Sequence, residues 1–380
     1  MKKFFIVALT LLTVGSVSAQ KSAVKEAEGK AKALTPDFGS ARSIIAPALT
    51  NEETKNDAQT WYVAGLIEFG NYDNLNGKRY IGESVNENDM AKSLMSGFNY
   101  LKTALPLDSV PQFNKDGSPK INKKTGEQEI KTKYSKDIVK LIAGHYNDFV
   151  GVGGTLYNSQ NYKDAYDAWY IYTTLPSDPV YGKFLAAETI PNDTTLAEFT
   201  YNMALAAWQN QEMEKSLAAF EKAMSMGYGD REPLIYDYAI SIASNLNNEA
   251  KVLALANEAN AKYGATTEKY ISIIINDKIN KEQYTEAMDL LNKAIEVAPS
   301  NAELYNLLGI LYQSQKDFDK ARATLEKAYE LNPESATINF NLGRAIYAQG
   351  AAIDEANSNL PTGEYNKMRL EVIDPILKQA

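Results

Sequence analysis

The sequence predicts an all-α fold built from stacked helix–turn–helix repeats, and three observations carry that prediction. Tyr305, Leu308, Gly309 and Tyr312, followed by Ala321, Leu325, Ala328 and Pro333, have the spacing of two packed antiparallel helices closed by a proline. Ala287 to Ala321 and Gly309 to Gly343 both step by 34 residues, the length of one such unit. Apolar periodicity is helical along the chain, and no segment alternates long enough to suggest a sustained strand. A single helix pair cannot bury its apolar face, so stacking on neighbours supplies the stability.

Taken in order, Met1 to Ala19 has the form of a cleavable export signal. Lys2 and Lys3 lead, Phe4 to Val14 form a short apolar core, and Val17, Ser18 and Ala19 are small residues at the cleavage point. The mature chain is then expected to begin at Gln20; an uncleaved anchor is the alternative, with an apolar run short for a span of about 20 residues. Lys21 to Leu34, rich in Ala, Lys and Glu, and a segment carrying Ala41, Ile45 and Ala48 give a degenerate first pair. Thr50 and Glu53 are spaced as a capping box ahead of a helix with Trp61, Ala64 and Gly65. The Asn- and Gly-rich stretch from Gly70 to Asp89 predicts a long loop before the helix Met90 to Leu105.

Pro106 to Thr132, punctuated by Pro111, Gly117, Pro119 and Gly126 and carrying several lysines, predicts a surface loop or extended arm. A third unit starts near Tyr146, with Gly153 as the small residue of its first helix and Ala165 and Trp169 on its second. After a Pro/Asp/Gly-rich insertion from Pro176 to Asp193, Thr195 and Glu198 are spaced to cap a fourth unit containing Ala204, Phe220 and Ala223. A less regular fifth unit begins near Pro233. Beyond Tyr347 the expected second helix gives way to Ala351 to Leu360, a turn at Pro361, and a last helix from Glu364. The end at Ala380 fits either a terminal cap with a polar outer face or a chain that continues.

These divisions are 1–19, export signal; 20–105, degenerate repeats; 106–132, insertion; 133–264, irregular repeats; 265–350, regular array; and 351–380, modified capping helices. Seven or eight repeat units are expected from the period.

The residues from Tyr270 to Tyr347 resemble the tetratricopeptide repeat, with its pattern W-x2-L-G-x2-Y, then A-x3-F, then P. The order of parts resembles exported tetratricopeptide proteins of Gram-negative bacteria, through Ala41 to Glu68, Asn192 to Thr195, and the Tyr270 to Tyr347 array. The resemblance implies a right-handed α-solenoid with long loop insertions, acting in the periplasm as a non-enzymatic protein–protein interaction scaffold.

Composition bounds the chemistry. There is no cysteine, which removes disulfides, thiol nucleophiles, cysteine-ligated zinc and the lipid acceptor of a bacterial lipoprotein. Net charge is −9, or −11 once Lys2 and Lys3 are lost with the signal, which disfavours nucleic acid and anionic lipid as partners. With the signal removed, no integral membrane span is expected. His145 is the only histidine, so multi-histidine metal sites are excluded. Without a G-x-S-x-G elbow a packing or surface role is preferred for it. Asn74, Asn76, Gly77 and Glu83 follow calcium-loop spacing, but Tyr72 stands where the first carboxylate belongs. Gly151, Gly153 and Gly154 lack phosphate-loop spacing. No catalytic residue, metal or cofactor is assigned.

Binding is the stronger reading, because first helices of stacked pairs line a concave surface. By position these are Lys269, Ser272 and Asn276; Glu303, Asn306 and Ile310; and Thr337, Phe340 and Arg344. Asparagine amides can bond both groups of an extended peptide main chain, and Ile310 and Phe340 offer apolar contact. A carboxylate clamp is disfavoured, since Ser272, Leu307 and Thr337 replace its members beside Asn276. The alternative is an envelope protein binding a glycan or small ligand by aromatic stacking, for which Trp208 is the least committed tryptophan.

Overall fold

Eight helix starts among the described residues are set by short polar side chains that accept from otherwise unpaired N–H groups. Asp37, Asp57, Asn86, Asn192, Asn248, Asn301, Asp317 and Ser335 each cap a helix in this way. The structure, a computed structural model, describes residues 20–228, 233–264 and 269–379. The expected export signal at 1–19 lies outside the described residues.

Contacts divide the chain into two units, Met1–Tyr228 and Gly229–Ala380. In the first run α1 (residues 20–31), α2 (Phe38–Thr50), α3 (Ala58–Tyr80), α4 (Glu87–Leu107), α5 (Ser135–Gly144), α6 (Asp148–Asn158), α7 (Tyr162–Thr174), α8 (Asp193–Gln209) and α9 (Met213–Ser225). Sequential helices pack as pairs and onto the next pair: α3 on α4, α6 on α7, α7 on α8, and α8 on α9. The second unit holds α10 (Leu234–Asn245), α11 (Glu249–Tyr263), α12 (Lys269–Asn280), α13 (Tyr284–Val297), α14 (Ala302–Ser314), α15 (Phe318–Leu331), α16 (Ala336–Asn357), α17 (Thr362–Met368) and α18 (Asp374–Leu377). Its core runs through Ile271, Ile275, Ala287, Leu291, Leu304 and Leu308. It is the all-α stack of helix–turn–helix repeats that the period predicts.

Glycines decide how closely paired helices approach. A Cβ on Gly65 would stand 2.3 Å from Leu101 Cδ2, one on Gly153 2.3 Å from Trp169 Nε1, and one on Gly309 2.5 Å from Leu325 Cγ. Gly153 is therefore a packing residue of α6, as its position in the repeat suggests, and not part of a phosphate cradle.

Several local expectations are corrected. Thr50 ends α2 and does not open α3; Asp57 caps α3 through the Gln59 N–H. Asn192 caps α8 through the Thr195 N–H, so the Thr195–Glu198 box is not used. The Gly70–Asp89 stretch is mostly helix, because α3 continues to Tyr80. Packing overrides composition there: Tyr72 is buried, the Phe38 ring lies against Gly70, and Asn71 donates to Ser93 Oγ at 2.9 Å. Asn74, Asn76 and Gly77 consequently sit on a helix and form no calcium loop. The 106–132 insertion begins with Pro106 still inside α4, and β1 (Val110–Pro111) pairs antiparallel with β2 (Ile130–Lys131). α16 runs unbroken through Ala351 to Asn357, and Gly350 meets Leu377 of α18, which returns along it. A five-residue π-helical stretch, Arg369–Ile373, joins α17 to α18.

Candidate functional site

In the second unit, residues three or four apart share a helix face, so each first helix is divided between core and surface. Ile271, Ile274 and Ile275 of α12, Leu304, Leu308 and Leu311 of α14, and Ile338 and Ala345 of α16 point into the core. The opposite face carries the residues expected to meet a partner.

The nine expected residues are not equivalent in the structure. Lys269 is exposed and its Nζ pairs with the Asp237 carboxylate of α10, which also accepts from the Tyr270 hydroxyl at 2.9 Å. Burial and that hydrogen bond both push the Tyr270 phenol well above its ordinary pKa, so it stays neutral and donates. Ser272 is half-buried and Asn276 exposed. Glu303 is exposed and accepts from Asn306 Nδ2 at 3.1 Å.

Asn306 is the correction within the set. It is only 2% exposed, and its Oδ1 accepts from Asn341 Nδ2 at 2.9 Å. The amide is spent bridging α14 to α16, because α16 covers this position on its neighbour. Phe340, one 34-residue period further on, is 65% exposed. Ile310 is half-buried, while Thr337 and Arg344 are exposed. The Arg344 guanidinium lies 5.8 Å from the Phe340 ring centroid, within cation–π range. Tyr347, exposed on the same face of α16, extends this aromatic stripe and was not anticipated.

A depression of this unit adjoins the first helix of the expected set. Between α10, α12 and the start of α11, a cavity of about 340 Å³ is lined by Ser244, Asn248, Val252, Asn276, Asp277 and Asn280, among others. A second, of about 540 Å³, adjoins it through shared Ser244, Val252 and Ile273 and reaches Asp237, Ser241 and Lys269. Stepping back 35 residues from Ser272 and Asn276 reaches Asp237 and Ser241. The 34-residue period itself lands one residue further on, at Tyr238 and the buried Ile242, so it does not find this face of α10.

The first unit holds a separate polar network. Arg42 Nε donates to Glu68 Oε1 at 2.6 Å, and its terminal nitrogen bonds Glu68 Oε2 and, at 2.9 Å, Ser93 Oγ. Glu68 is 8% exposed; the hydrogen bond to Glu68 raises the Arg42 pKa further, against desolvation. A cavity of about 450 Å³ opens over this network, with Asn71, Asp89 and Lys92 on its wall.

His145 caps the end of α5 and is not within a helix. Its Nδ1 stands 2.8 Å from Asp148 Oδ2 and its Nε2 3.7 Å from Asp73 Oδ1. The ring packs on Phe69 and edge-on to Tyr72. It braces α3 against the α5–α6 turn, a packing role. Among the described residues, no group of three or more His, Cys, Asp or Glu is placed to hold a metal ion. Trp169 is buried and Trp61 Nε1 donates to the Lys55 carbonyl at 2.6 Å, so both rings serve packing.

Family profiles described as tetratricopeptide repeat match residues 197–226, 279–328 and 306–356. The chain carries tetratricopeptide repeats. The first match falls on the α8–α9 pair, and the other two span the end of α12 to α16. The chain is similar to a human zinc finger C3H1 domain-containing protein, with 34% identity over 68 residues, 18% of this chain and 3% of that protein. It is also similar to the human protein IFIT1 homolog B, with 25% identity over 167 residues, 42% of this chain and 35% of that protein. It thus spans well under two thirds of the length of these curated relatives. Among solved structures, YrrB, described as a TPR protein with an unusual peptide-binding site, aligns at a TM-score of 0.37 and 14% identity, covering 55% of this chain and 97% of that one.

Proposed function

We propose that this tetratricopeptide-repeat chain is a non-catalytic scaffold that holds an extended segment of a partner protein against the first-helix face of its second unit. The observation that carries the reading is the lining of that face. Amides and hydroxyls of Ser244, Asn276 and Asn280 surround the depression between α10 and α12, and Phe340, Arg344 and Tyr347 stand exposed on α16. Amide side chains can match the alternating donors and acceptors of a peptide main chain, while aromatic and arginine side chains are the groups that anchor interfaces. The form of residues 1–19 supports export, and with it a periplasmic setting at the cell envelope.

The test is selection of peptides from a random phage-displayed library on the purified chain, followed by affinity measurement by fluorescence anisotropy. Replacing Asn276→Ala, Phe340→Ala and Arg344→Ala together should weaken the selected peptides by about tenfold or more, with the helical circular dichroism spectrum retained. Unchanged affinity in the folded variant would remove this face as the site.

A further inference from the structure

Residues 109–133 leave α4 and rejoin α5 at a single point. The Asp108 carboxylate accepts from the N–H groups of Lys133, Tyr134 and Ser135 at 2.9, 2.7 and 2.7 Å, pinching the base of the insertion. Above the β1–β2 stem, Gln112 N–H donates to the Glu129 carbonyl, Lys120 N–H to the Gln112 carbonyl, and Glu129 N–H to the Lys120 carbonyl. The stem therefore branches into two small hairpins, one pairing Phe113 with Pro119 and the other Ile121 with Gln128. Their turns use Gly117 and Gly126 at φ values of 83° and 74°, where glycine carries no steric penalty.

Opposed residues in an antiparallel pair share a face, and alternate residues along a strand do too. Followed around the junction, this rule puts Pro111, Phe113, Pro119, Ile121 and Ile130 on one face with Gln128. Phe113, Ile121 and Ile130 are 59%, 48% and 49% exposed. A preformed apolar face left in water on a charged, hydrogen-bonded frame marks a contact surface.

Charge says what covers it. Residues 109–133 contain six lysines and three acids, a net +3 in a chain of −9, so the remainder carries −12. Lys120 pairs with Glu129; Lys115, Lys123 and Lys124, in the two turns, have no acidic partner among the described residues. The segment contains no Arg or Met, two of the types enriched in protein interfaces, where lysine is depleted. Phe and Ile beside flexible lysines instead suit the boundary between acyl chains and phosphate headgroups.

We propose that this branched β-arm is a peripheral membrane contact, inserting Phe113, Ile121 and Ile130 at the headgroup boundary of an anionic phospholipid bilayer while Lys115, Lys123 and Lys124 meet the phosphates. The net acidity of the chain argues against such a surface only when charge is averaged over the molecule; screening beyond roughly 8 Å at physiological ionic strength leaves the arm's own charge to decide close contact. This contact is independent of the first-helix face of the second unit.

Co-sedimentation of the purified full chain with vesicles tests it. The chain should pellet with equimolar phosphatidylglycerol and phosphatidylcholine more than with phosphatidylcholine alone, and added salt should release it. Lys115→Gln, Lys123→Gln and Lys124→Gln together should weaken anionic-vesicle binding by about a hundredfold. Phe113→Ser with Ile121→Ser should weaken it as well while leaving the selected peptides bound. Both variants alter exposed positions, and an unchanged thermal melt confirms folding. Pelleting that neither variant reduces, or no preference for anionic vesicles, overturns the proposal. So does concentration-dependent self-association in analytical ultracentrifugation that Phe113→Ser abolishes, because the face would then belong to a second copy.

Discussion

Asp108 shows how much of this chain rests on single side chains. Burial alone pushes its carboxyl pKa up, but hydrogen bonds from Ser135, Lys133 and Tyr134 outweigh that and hold it below the ordinary carboxylate range. A carboxylate depressed in the folded state contributes stability that is present above its unfolded pKa and lost as pH falls through the folded one. The urea midpoint of the first unit should therefore drop on acidification below about pH 4. Asp108→Asn should cost about 2 kcal/mol at neutral pH and flatten that acid dependence. A variant as stable as the parent at neutral pH would show that the clamp is dispensable. At this scale the sequence is informative where the repeat dictates a role. Gly153 and Gly309 are legible as packing residues because close approach of two helices demands a residue without a side chain. Asn306 is not legible, since the same repeat position is buried in α14 and exposed in α16; the covering neighbour makes the difference.

Among elements, five of the turns between paired helices share a feature that residue type conceals. Gln160, Gln211, Asn247, Glu282 and Lys316 adopt φ values of 63°, 61°, 54°, 58° and 62°, each between the first and second helix of a pair. The left-handed conformation lets the second helix reverse in few residues, and it costs about 1–2 kcal/mol for a residue with a Cβ. Glycine removes most of that cost while adding unfolded-state entropy. Glu282→Gly and Lys316→Gly should each stabilise the second unit by roughly 0.5–1 kcal/mol, read as a raised urea midpoint; a lowered midpoint would contradict the strain argument. Element boundaries were less legible than element types. α3 runs through Asn- and Gly-rich residues because tertiary contacts at Gly70, Asn71 and Tyr72 exceed their weak helix propensity. The arm's strands were missed because pairs of two residues are too short to show alternation.

Across the whole molecule, the period and the tetratricopeptide pattern made the fold readable, while function depends on what the repeat leaves unconstrained. Phe340 and Arg344 are reached by stepping along the period, whereas the α10 residues lie one position off it and the depression beside them is visible only in the fold. The average charge of −9 likewise concealed a basic, apolar-faced arm. The central claim is that the second unit reads a partner segment on its first-helix face. Hydrogen–deuterium exchange of the full chain with and without a selected peptide tests this most directly. The account predicts slowed exchange in peptides covering α10, α12 and α16, with α13, α15 and the first unit unchanged. Slowed exchange confined to α13 and α15, or to the first unit, would contradict it.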